Sequence, residues 1–189
     1  MRLCVILLSF LALLGCTPHM LEDQAAANLI VRTVTVDTAA ISGVAGRKMA
    51  FDVPAAQINA DLTQALQRQL RVTPQGNADV TVTVKEVRLM SRMQELMLGG
   101  ASYVKGTLTV TDAATGRQIV APTEVFATSQ RFRVGGPIGA VVAPTAKDDY
   151  LQTIESFAMN VRVRLSPRRA VEVAADSPAA KAGRAKVAR

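Results

Sequence analysis

The chain has 189 residues, 49% apolar and 20% charged, a composition that sustains a folded core and excludes a wholly disordered protein. Aromatic residues make up 4% and Trp is absent, which argues against a pocket that stacks nucleic-acid bases or sugar rings. The formal net charge of +7 is unevenly placed: Arg168, Arg169, Lys181, Arg184, Lys186 and Arg189 face only Glu172 and Asp176 after Pro167, whereas residues 17–167 hold 15 basic and 13 acidic side chains, so the body is near neutral and no nucleic-acid partner is expected.

The first element is an apolar run. Arg2 gives a short positive start, and Val5 to Leu14 is apolar apart from Ser9. Such a run is shorter than the roughly 20 residues a membrane-spanning helix needs and matches the h-region of a secretory signal peptide. It ends in Leu13-Leu14-Gly15-Cys16, which resembles the lipobox of bacterial lipoproteins. The resemblance implies that residues 1–15 are a signal peptide and that Cys16 becomes the first mature residue. Cys16 would carry a covalent diacylglycerol and an N-acyl chain, with no other cofactor. Thr17, where Asp would signal retention in the inner membrane, implies an outer-membrane protein facing the periplasm. Cys4 leaves with the signal, so the mature chain has no cysteine with which Cys16 could pair.

Residues 16–28, polar and alanine-rich from His19 onward, read as a lipidated tether. Leu29 to Val36 (LIVRTVTV) is compact and β-branched, and reads as a strand. After a Gly/Ala/Ser-rich loop, Pro54 stands where a first helical residue would. Ile58, Leu62, Leu66 and Leu70 follow at spacing four, with Ala65 on the same face, an amphipathic helix. Pro74-Gln75-Gly76-Asn77 ends it. Val80, Val82 and Val84 alternate with polar residues, and the phase then flips to Val87 and Leu89, which predicts a strand with a bulge near Lys85-Glu86. Met90, Met93 and Met97, with Leu89 and Leu96, fall at helical spacing and read as core packing or as a pliable partner edge. Tyr103 to Thr111 is a further strand, Asp112 to Gly116 a turn with Gly for a positive φ, and Gln118 to Val120 the start of the return strand. Pro122 is expected to interrupt that strand, with the partner resuming from Glu124 to Arg133. Val134 to Thr145 is a Gly/Pro loop. Asp148 and Asp149 open a second helix whose apolar face is Leu151, Ile154, Phe157, Ala158, Val161 and Leu165, stopped by Pro167. Residues 167–189 read as a disordered basic tail.

The order β-α-β-β-β-α predicts a single α+β domain over residues 29–166. It would be a two-layer sandwich with a mainly antiparallel sheet of about four strands and two helices on one face. The run VKGTLTVTDAATGRQIV, the Gly-rich loop and the closing helix resemble small α+β envelope lipoproteins of uncharacterised families. More distantly they are similar to auxiliary lipoproteins of envelope lipid-transport systems. The motif is strand-turn-strand grammar and supports fold more than function.

Catalytic chemistry is hard to assemble from this chain. His19 is the only histidine, and it lies in the tether, which removes a Ser-His-Asp arrangement on the body. No cysteine nucleophile is left after acylation, and no His/Cys cluster has metal-ligand spacing. Paired carboxylates would be the remaining hydrolytic route. Asp148-Asp149 reads as helix capping, and Glu86, Glu95 and Glu124 show no pairing. The loop VGGPIGAVVAPTAKDD lacks both the P-loop ending and the dinucleotide-binding spacing. Its apolar Ile138, Val141 and Val142 are instead candidates for contact with an envelope protein partner. The basic residues Arg168, Arg169, Lys181, Arg184, Lys186 and Arg189 are candidates for an anionic surface. Three readings follow: a non-catalytic binding or scaffold module of the envelope, a lipid-transport auxiliary, and a carboxylate hydrolase.

Overall fold

The computed structural model describes residues 19–42, 53–89, 101–129 and 145–168. Their elements in chain order are α1 (Asp23–Ala27), β1 (Val31–Asp37), α2 (Ala39–Ser42), α3 (Ala55–Leu70), β2 (Ala78–Arg88), β3 (Tyr103–Asp112), β4 (Gln118–Thr128) and α4 (Ala146–Leu165). The four strands form one mixed sheet in the order β1-β2-β3-β4, with β1 parallel to β2 and the other two pairings antiparallel. This is an α+β fold, with short α1 and α2 added to the elements the periodicity predicts.

Alternation along the strands decides which face is covered. Val80, Val82 and Val84 of β2 lie opposite Val110, Leu108 and Gly106 of β3, and all five apolar side chains are fully buried. They share one core with Ile58, Leu62 and Leu66 of α3 and Phe157 and Val161 of α4. Gly106 has a specific place in it. A Cβ there would stand 2.9 Å from the Thr83 carbonyl oxygen, so the missing side chain lets β3 approach β2 closely beside the bulge, and the Phe157 ring lies over this point at contact distance. The opposite face presents threonine rows in register, Thr35-Thr81-Thr109 and Thr83-Thr107.

The two long helices run side by side in the same direction. Tyr150 donates to Asp61 at 2.7 Å near their starts, and Arg162 donates to Gln69 at 3.3 Å near their ends. The C-terminus of α3 therefore lies at the end of the sheet where β1 and β2 begin, as the bond from Thr73 N–H to the Val31 carbonyl also shows. The chain turns there through Arg71, the one described non-glycine residue with positive φ, at 52°. Gly76 lets this turn press on β1, because a Cβ would lie 2.5 Å from the Arg32 nitrogen.

The register between β2 and β3 shifts between Val84 and Glu86, where the change of phase places the bulge. Gly116 takes the positive φ, 67°, that its turn requires. Two expectations are corrected. β4 is continuous from Gln118 to Thr128: its register slips near Pro122, and as an edge strand it has no partner on its outer side for a proline to deprive. The expected tether is docked from His19 onward, so the folded unit takes in residues 19–28 as well. The methionine group Met90, Met93 and Met97, the expected strand extension to Arg133 and the tail beyond Arg168 lie outside the described residues.

Candidate functional site

The docked N-terminal segment meets the last turn of α4 and the residues that follow it through three hydrogen bonds. Met20 N–H donates to the Arg164 carbonyl at 3.0 Å, and the Arg168 backbone N–H donates to Asp23 Oδ1 at 2.9 Å. His19 Nδ1 lies 3.0 Å from the Ser166 carbonyl oxygen. A carbonyl only accepts, so this ring nitrogen carries the hydrogen. The Met20 bond satisfies one of the carbonyls that every helix leaves open at its C-terminus, and the His19 bond takes the carbonyl of the C-cap residue. Met20, Leu21 and Leu29 pack against the core and Ala26 is buried, so apolar contact holds the strap as well. The expectation that His19 lies in a tether is therefore corrected: it is docked on the folded domain. Its partner stands 147 residues away, and nothing local announces it.

This end of the domain is also where basic side chains gather. Arg71 at the end of α3, with Arg162 and Arg168 at the end of α4, are exposed. Arg164 is partly buried, donates to the Glu124 carbonyl at 3.0 Å, and burial lowers its affinity for its proton. Arg168 is the one predicted anionic-surface residue among those described. Arg169, Lys181, Arg184, Lys186 and Arg189, the predicted lipidation site Cys16, and the predicted partner contacts Ile138, Val141 and Val142 lie outside the described residues.

The opposite end carries the starts of both long helices and a buried polar group. Ser102 donates to Asp149, which is 3% exposed, and Thr153 Oγ1 donates to the Asp149 carbonyl at 2.7 Å. Asp149 thus bridges α4 to the residue just before β3, a role its place beside Asp148 does not reveal. Asp148 caps the helix as expected, accepting from Thr145 N–H while Thr145 Oγ1 accepts from Asp148 N–H. Beside it, Tyr150 has its proton affinity raised, first by burial and then by the bond to Asp61.

The described carboxylates are held separately. Asp79 pairs with Arg32 at 2.6 Å and accepts from Thr33, and these bonds hold it below the ordinary aspartate value. Glu86 accepts from Tyr103 at 2.6 Å, while Glu124 pairs with Lys105 at 2.9 Å and Glu155 with Arg68 at 3.1 Å. Among the described residues no group of three or more His, Cys, Asp or Glu could hold a metal. No described helix is long and apolar enough to cross a membrane.

One groove of about 280 Å³ runs between β4 and α4, lined by Phe126, Thr128, Ser156, Met159, Asn160 and Val163 among others. Phe126 and Met159 are 45% and 43% exposed, and Phe126 packs on Tyr103 with ring centroids 5.4 Å apart. Asn160 donates to the Phe126 carbonyl at 3.0 Å. Together with Arg164 on Glu124 it occupies outer carbonyls of the edge strand, which lowers that strand's capacity to pair with another chain.

No protein family matches the chain, and no curated protein does. Solved structures are similar in shape. Protein XCC0632 of Xanthomonas campestris is 8% identical with a TM-score of 0.46, over 82% of this chain and 90% of that one. PelC of Paraburkholderia phytofirmans, solved as a dodecamer, is 13% identical with a TM-score of 0.38, over 81% and 94%. A minor lipoprotein of Acinetobacter baumannii is 14% identical with a TM-score of 0.35, over 75% and 95%. At these values the likeness says nothing about the activity of this chain.

Proposed function

We propose that this chain is a lipid-anchored protein of the bacterial envelope, held on the outer membrane facing the periplasm, whose α+β domain acts as a non-catalytic binding or scaffold module. The observation that carries the reading is Cys16 behind the apolar run Val5 to Leu14, in the pattern Leu13-Leu14-Gly15-Cys16. Two or three acyl chains, at about 0.8 kcal/mol per buried methylene, hold a domain at a membrane without any spanning helix. The docked strap supports it, because it begins three residues after the anchor and leaves no slack segment to another fold. The packed interior supports a scaffold over a carrier of apolar ligands. Val82, Leu108, Leu62 and Phe157 are all fully buried and fill the space between sheet and helices where such a ligand would sit. A protein partner is the expected ligand, and Ile138, Val141 and Val142 remain its candidate contacts.

Cys16→Ala tests the reading. Wild-type protein is expected in the membrane pellet with acyl mass on its N-terminal peptide, and the variant is expected as an uncleaved precursor. A mature-sized variant in the pellet would show that another feature anchors the chain. Cross-linking the acylated protein in intact cells, followed by mass spectrometry, is expected to recover one envelope protein in stoichiometric yield.

A further inference from the structure

We infer that the strap fixes the orientation of the domain on the membrane, placing the C-terminal ends of α3 and α4 against anionic lipid headgroups and pointing the helix starts away. The inference rests on the acylation of Cys16 proposed above. A free tether over residues 16–28 would let the domain roam by tens of ångströms and present any face. The structure removes that freedom, because His19, Met20 and Asp23 are each bonded to the last turn of α4 and its exit. Only three peptide steps separate His19 from Cys16, a reach of about 10 Å at most. That distance is comparable to the Debye length of about 8–10 Å at physiological salt. Exposed Arg162 and Arg168 therefore stand within electrostatic range of the lipid surface, and with Arg71 they outnumber the exposed Glu22 and Asp23 that the strap brings to the same end. Arg168, whose backbone is bonded to Asp23 of the strap, is followed in the sequence by five further basic residues against two acidic ones. The strap and the ends of both long helices converge on one side. Lipid headgroups bearing negative charge are the chemistry that fits it.

The orientation is read with two labelled variants of the full acylated protein. Cys4 leaves with the signal and Cys16 is blocked by lipid, so an introduced cysteine is the only reactive thiol. Arg162→Cys and Lys147→Cys place a fluorophore on the last and first turns of the same helix, about 22 Å apart along its axis. Each substitution removes one positive charge, so the two variants carry equal net charge, and Arg71 and Arg168 keep the membrane-facing end basic when Arg162 is replaced. In vesicles of phosphatidylethanolamine and phosphatidylglycerol carrying a headgroup quencher, the label at 162 is expected to be quenched at least twofold more than that at 147. Adding Met20→Ser and Leu21→Ser, which undock the strap, is expected to shrink the difference while the protein stays membrane-bound. Equal quenching at 162 and 147, with acyl mass present on Cys16, would overturn the inference and leave the anchored reading intact. Absence of acyl mass on Cys16 would overturn both.

Discussion

The two ends of α4 are closed in opposite ways. At its start, Thr145 and Asp148, three residues apart, satisfy each other's backbone in a capping box. At its finish, the Arg164 and Ser166 carbonyls are taken by Met20 and His19, more than 140 residues earlier in the chain. A local closure stabilises the helix alone. A remote closure also fixes where the donor segment goes, and here that segment leads to the lipid anchor proposed above. The contrast shows how a short segment with little helix or strand character can still determine the geometry of the molecule.

The largest expected effect sets the scale against which both ends are read. Phe157 is fully buried in the middle of α4, against Gly106. Phe157→Ala is expected to destabilise the domain by about 3–5 kcal/mol in urea unfolding. A loss below about 1.5 kcal/mol would mean that α4 is held mainly by its ends rather than by its packed face. The remote closure comes next. Met20→Ser with Leu21→Ser should lose about 2 kcal/mol, since both side chains are only partly buried and the backbone bonds they support are worth about 1 kcal/mol each. Unchanged stability would mean that the strap rests on α4 without holding it. The local closure is smaller still. Thr145→Ala is expected to lose about 1 kcal/mol. Faster amide exchange should be confined to the first turn of α4, leaving Arg164 and its neighbours protected.

The same contrast explains what could be read in the sequence. β2, β3 and the two long helices were legible because each buries one face, so burial is written as a period of two or near 3.6. The bulge beyond Val84 was legible as a change of phase, and the turn at Gly116 as turn chemistry. Asp148 showed its role because a cap is local. Asp149, one residue on, did not, because Ser102 lies 47 residues away and no spacing encodes the pair. The strap reads as a tether for the same reason. Its apolar side chains, Met20, Leu21 and Ala26, are too few to write a period, α1 spans only five residues, and its partners lie more than 140 residues away. Pro122 misled in the other direction, since the rule against proline in strands applies to strands paired on both sides.

The smallest expected effect compares the ends of the two parallel helices. α3 finishes without outside help: Arg71 adopts a left-handed conformation, and the N–H groups of Arg71 and Val72 return to the carbonyls of Arg68 and Gln67. This is the geometry in which glycine is usually found, because a Cβ in the left-handed region crowds the following carbonyl, at roughly 1–2 kcal/mol. Glycine removes that strain but widens the unfolded ensemble, which gives back up to about 1 kcal/mol. Arg71→Gly is therefore expected to stabilise the domain by about 0.5 kcal/mol, seen as a higher urea midpoint with an unchanged slope. The Arg71 side chain is exposed, so no packing is lost to mask the gain. A matching change at Ser166, the C-cap of α4, should go the other way. Ser166 is already extended at φ −87°, ψ 152°, its hydroxyl donates to the Arg162 carbonyl, and its own carbonyl accepts from His19. Ser166→Gly would loosen a residue that both the helix and the strap hold, with a loss of about 0.5–1 kcal/mol. If both substitutions shifted stability in the same direction, the two helix ends would be closed by the same means, and the distinction between local and remote closure would fail.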